Sequence, residues 1–144
     1  MFKALIIASV AAATLVTGCA STDNSAPREL SDYMFVRGDF NGWNAVPEHK
    51  LTKTSTDRLY MTSIDVTADG SVYGFKFADQ LWGAGANCGY QNKEDETIVL
   101  GKRVPVSCSS SYSNFVFTPA ESGTYNFYMD GSVEPFQIYV EKAE

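Results

Sequence analysis

The residues best suited to chemistry in this chain are two tryptophans and a few polar neighbours. Trp43 follows Gly38-Asp39-Phe40-Asn41-Gly42, and Trp82 precedes Gly83-Ala84-Gly85, so both fall in turn-like stretches rather than inside alternating strands. An indole outside a strand offers a flat, electron-rich face that can cover the C–H face of a sugar ring while the hydroxyls stay available for hydrogen bonds. Lys76 stands between Phe75 and Phe77, and strand alternation sends it outward, opposite the two rings. With Asn87, Asn92 or Asn114 it would supply the donors and acceptors those hydroxyls need. On residue type alone, the alternative stays open that both tryptophans are partly buried structural side chains.

Other chemistries find less support. His49 is the only histidine, it sits in a polar loop, and no Gly-x-Ser-x-Gly elbow is present, so nothing marks a Ser-His-Asp arrangement. Asp39, Asp57, Asp79, Glu94 and Asp95 are carboxylates whose spacing singles out no pair for acid–base work. Asp65-Val66-Thr67-Ala68-Asp69-Gly70 opens like a calcium loop, but Lys76 stands where the closing glutamate is needed, and a hairpin turn is the simpler reading. The chain is therefore expected to be no enzyme and to use no metal or cofactor.

These residues have to be positioned by one small domain. Met1-Phe2-Lys3, the apolar run Ala4 to Leu15 and the closing Val16-Thr17-Gly18-Cys19 read as a secretory signal, too short to span a bilayer. The small residue before Cys19 resembles the lipobox of bacterial lipoproteins. That resemblance implies cleavage before Cys19, acylation there (palmitate included) and, with Ala20 rather than aspartate following, outer-membrane anchoring on a face left open. An ordinary signal with an incidental cysteine is the alternative. The expected organisation is a signal over 1–18, a lipidated flexible tether over 19–31 and one domain over 32–144. Without Lys3 the balance is 10 basic to 17 acidic residues, which argues against nucleic acid as a partner. Setting Cys19 aside leaves Cys88 and Cys108, which in an oxidising compartment are expected to form one disulfide.

After Asp32 the hydrophobic period is two. Strands are expected at Tyr33 to Arg37, Leu59 to Val66, Val72 to Phe77, Thr97 to Leu100, Phe115 to Phe117, Tyr125 to Met129 and Phe136 to Val140. Turn signals at Asn41-Gly42, Asp69-Gly70, Ser122-Gly123 and Asp130-Gly131 separate them. The pattern predicts an all-β, antiparallel immunoglobulin-like sandwich of about seven strands. The stretch 83–113, rich in Gly, Asn and Ser and holding both remaining cysteines, reads as a long loop kept in shape by the disulfide.

Val36-Arg37-Gly38-Asp39-Phe40-Asn41-Gly42-Trp43, Tyr73-Gly74-Phe75-Lys76-Phe77 and Leu81-Trp82 together resemble the starch- and glycogen-binding modules of early-set immunoglobulin-like fold found in pullulanases and branching enzymes. The resemblance covers 33–87 and ends at the cysteine-containing stretch. It implies Trp43 and Trp82 as stacking residues, with Lys76 and, less directly, Asn87 bonding to hydroxyls. The implied partner is a polysaccharide or oligosaccharide, an α-glucan first. Early-set sandwiches also serve as docking domains, so the alternative partner is an envelope protein gripped by the same tryptophans.

Overall fold

The computed structural model describes residues 28–109 and 112–144. The signal peptide, the Cys19 lipidation site and most of the tether lie outside these residues.

The described residues form a β-sandwich. A one-turn helix, α1 (Leu30–Tyr33), precedes β1 (Phe35–Gly38), β2 (Thr52–Lys53), β3 (Leu59–Val66), β4 (Tyr73–Ala78) and β5 (Asn87–Tyr90). β6 (Val104–Ser107), β7 (Phe115–Phe117), β8 (Gly123–Asp130) and β9 (Gln137–Lys142) follow. Hydrogen bonding runs β1-β4-β5-β6-β9-β8-β3-β2, with β7 also on β4, and every strand pair is antiparallel. β5 and β6 share only Gly89↔Ser107 and Tyr90↔Val106, and this short seam lets the path curl so that its two halves face each other.

Alternation explains the layers. In β3, Tyr60, Thr62, Ile64 and Val66 are buried while Ser63 and Asp65 are exposed. In β8, Tyr125, Phe127 and Met129 are buried between half-buried neighbours. The halves meet in an aromatic core, where the Phe75 and Phe127 rings lie 5.1 Å apart at 86°. Phe115 stacks on Phe75, and Phe117 packs edge-on against Tyr125. Each such buried side chain contributes about 1.5–3 kcal/mol. The stretch that opens like a calcium loop is the β3–β4 connection, turned at Gly70 with the Ser71 amide donating to Asp69.

Several expectations need correction. The strand count is nine among the described residues: β2 and, within the stretch 83–113, β5 and β6 are added, and the strand expected at Thr97 to Leu100 is lost. Pro105 hid β6, since proline discourages a strand reading; it sits at a position paired with Gln137. Thr97 to Leu100 is not a strand: only an isolated Thr97↔Val116 bridge forms, Ile98 is buried, and Val99 and Leu100 face outward. Leu30, placed in the tether by its polar neighbours, is buried against the sandwich. The Cys88–Cys108 disulfide is present, with a sequence separation of 20, and ties β5 to the end of β6. A loop of that length is worth about 3 kcal/mol in chain entropy.

Candidate functional site

Trp43 is delivered by a turn that the sheet itself shapes. At Gly38 the chain passes so close to β4 that a Cβ would lie 2.4 Å from the Gly74 carbonyl oxygen. Gly38 is extended, so contact demands its glycine; Gly42, at φ +61°, supplies the turn. Trp43 has φ +63°, a left-handed conformation that costs a bulky residue roughly 1–3 kcal/mol and persists only when neighbours enforce it. The neighbours are visible. The Trp43 amide donates to Gly38 O at 2.8 Å and its indole Nε1 to Asp39 Oδ1 at 2.9 Å. The second Asp39 oxygen accepts from the Gly74 amide at 2.6 Å, which pins the carboxylate to β4.

Trp82 repeats the device. It too is left-handed, at φ +55°, and 38% of it is exposed. Asp79 Oδ1 accepts from the Leu81 amide at 3.1 Å and the Gly83 amide at 2.8 Å, and the Asp79 amide closes the loop onto Ala86 O. The two indole centroids lie 6.2 Å apart with planes inclined at 42°. They form an angled pair, not a flat wall.

One side chain joins the two tryptophan loops. Arg37 Nε donates to Trp43 O at 2.8 Å, and its Nη1 donates to Asp79 O and Gln80 O. The guanidinium also lies 3.6 Å from the centre of a Trp82 ring, a stacked cation–π contact that covers part of one indole face. Arg37 is buried, and desolvation lowers its pKa against the opposing pull of Asp79.

Trp43, Lys76, Trp82, Asn87 and Asn114 line one open groove of about 340 Å³. All four residues named as the binding set thus converge, together with one of the two further asparagines. Asn92 does not join them; its amide donates to Asp95 beside a separate one-turn segment. Lys76 also departs from expectation. It does lie on the face opposite Phe75 and Phe77, yet only 2% of it is exposed. At this point that face is part of a groove shared with Trp43, Trp82, Asn87 and Asn114 rather than flat open surface. Burial pulls the Lys76 pKa below the ordinary lysine value. Asn87 Oδ1 is a buried acceptor without a hydrogen-bond partner among the described residues. Such an atom is costly unless something bonds it.

Arg37, Asp39 and Asp79 were not singled out as site residues. A buried arginine in a strand demands partners, and an aspartate just before a turn commonly binds the amides ahead of it. The aspartate signal is local and legible in the sequence, whereas the burial of Arg37 arises only once β1 pairs with β4. Among the described residues no group of three or more His, Cys, Asp or Glu side chains is placed to hold a metal ion. His49 sits away from the groove and accepts from Asn41 Nδ2 at 2.9 Å.

No protein-family model and no curated protein matches this chain. Among solved structures, the ligand-induced structure of AmyP-SBD, a starch-binding domain, is similar in fold. The TM-score is 0.57 at 21% identity, over 99% of this chain and 97% of that one. The likeness shows the class of fold, an antiparallel β-sandwich.

Proposed function

We propose that this protein is a non-catalytic carbohydrate-binding protein that holds an α-glucan on Trp43 and Trp82, with Lys76, Asn87 and Asn114 bonding to hydroxyls. The observation that carries the reading is convergence. Residues from the β1–β2 connection, β4, the β4–β5 connection, β5 and the position just before β7 meet in one groove with two pre-set indoles. The 42° inclination suits consecutive rings of a curved chain better than those of a flat ribbon. The starch-binding role of the similar AmyP domain agrees with it. Through the lipobox-like Val16-Thr17-Gly18-Cys19 we further place the domain on the outer membrane by an acylated Cys19.

Two stacking residues in an open groove give weak binding, on the order of micromolar to millimolar Kd. Native electrophoresis in gels containing amylopectin or glycogen tests this. The protein is expected to be retarded, and Trp43→Ala or Trp82→Ala to weaken retardation at least about tenfold. Unchanged mobility in every α-glucan would overturn the proposal, as would retardation indifferent to both substitutions. Loss of a specific envelope protein in pull-down with Trp82→Ala, without any glycan binding, would point to the docking reading instead.

A further inference from the structure

A second cavity, of about 250 Å³, lies against the first and shares Trp82 and Asn87 with it. Its remaining walls come from the Gly83–Gly85 turn on one side and from Cys108 and Ser109 on the other. Each cavity alone is near or below the bottom of the roughly 300–1,000 Å³ range of ligand pockets, so an oligosaccharide filling this region has to use both.

The second cavity is built, not incidental. The Cys88–Cys108 disulfide carries Cys108 to β5, and the Asn87 amide reaches Cys108 O at 3.4 Å. An isolated parallel bridge, Asn87↔Ser109, sets Ser109 beside the same asparagine. The opposite wall is fixed by Asp79, which accepts from Gly83, and by the Ala86 amide donating to Gly83 O. Gly85 has φ +78°, and a Cβ there would touch nothing, so this wall presents backbone rather than bulk. None of the lining residues is charged: the cavity is walled by a serine, an asparagine, an indole, a disulfide cysteine and a short Gly-Ala-Gly turn. That chemistry fits a neutral, hydroxyl-rich ring. Asn87 stands at the junction, belonging to the walls of both cavities where two consecutive units would meet.

We propose that this cavity is a further sugar subsite, taking the unit next to the one stacked on Trp82, so that the site reads at least three consecutive units of a chain. The proposal rests on the carbohydrate reading above and adds a length requirement created by the disulfide-held segment. Ligands that reach the subsite should bind more tightly than those that stop at Trp82.

Calorimetric titration of the protein with maltose, maltotriose, maltotetraose and maltopentaose tests it. Affinity is expected to rise about tenfold from maltose to the longer chains. Ser109 and Ala84 are both exposed and belong to the two separate segments that wall the cavity, so Ser109→Tyr and Ala84→Tyr should each add bulk there without disturbing the core. Each is expected to cut the rise down to the small statistical gain from extra binding registers on longer chains while leaving maltose affinity within about twofold. A full rise in both variants overturns the subsite, as does a wild-type affinity independent of length. An equal loss for maltose in both variants also overturns it, since the cavity would then not be separate. If no maltooligosaccharide binds at any length, the carbohydrate reading itself falls and the subsite with it; this differs visibly from length-independent binding.

Discussion

Arg37 shows how much of the groove depends on a residue that need not touch a ligand. Its planar fork reaches both tryptophan loops at once and stacks on Trp82. Hydrogen bonds from a charged donor contribute roughly 1.5–3 kcal/mol, and a desolvated cation–π contact about 2 kcal/mol. Lysine would keep the charge and lose both the fork and the stacking plane. Arg37→Lys is therefore expected to lower stability by about 1–3 kcal/mol and to weaken glucan affinity by roughly tenfold with both indoles still present. Denaturant unfolding and calorimetric titration read the two effects separately. Affinity within twofold of wild type would show that the tryptophans hold their positions without Arg37. Asp79 spends its carboxylate on the amides of its own turn, and Asp39 divides its own between the Trp43 indole and the Gly74 amide of β4.

At the scale of elements, the β1 turn is a small polar network closed by a histidine. Asn41 Oδ1 accepts from the Gly38 amide, so its NH₂ faces Val36 O and His49 Nδ1, and that nitrogen must act as acceptor. A protonated ring cannot do so. Burial lowers the His49 pKa below 6.5, against smaller opposing effects of Glu48 and Asp65. As pH falls below 6.5 the unfolded chain takes up this proton and the folded chain does not, so the unfolded state is favoured until the lower folded pKa is passed. Thermal stability is expected to drop between pH 7.5 and 5.5, and His49→Gln to flatten that drop. An unchanged slope in His49→Gln would remove His49 from the explanation. The same turn marks where sequence reading stops. Trp43, Trp82 and the strand alternation were legible because residue type and period are local properties. Arg37 bridges segments about forty residues apart, and its role exists only once β1 pairs with β4 and the β4–β5 connection folds back. Burial of Lys76 needed the same pairing, because Arg37 is its cross-strand partner and a residue of each tryptophan loop shares its groove. β6 was hidden by Pro105, whereas the disulfide that fixes its end followed from cysteine arithmetic.

For the whole molecule, the proposed anchor and the weak groove make sense together. One site of micromolar to millimolar affinity releases a polysaccharide quickly, but many copies fixed to one surface can engage the same chain. Effective concentration then raises overall avidity by about 10²–10⁴ without any new contact. The arrangement requires that Cys19 carry lipid and that the short polar stretch after it let the domains reach a shared ligand. Two measurements check this in the producing cell. Cys19→Ala is expected to abolish palmitate labelling and to shift the protein from the membrane to the soluble fraction. Membranes bearing the wild-type protein are expected to retain amylopectin at least about a hundredfold more tightly than the released Cys19→Ala protein binds it. Equal retention by the two forms would mean that display adds nothing, and unchanged membrane fractionation of Cys19→Ala would mean that the N-terminal cysteine is not the anchor. If maltooligosaccharide titration is the same for both forms, the difference lies in display and not in the groove.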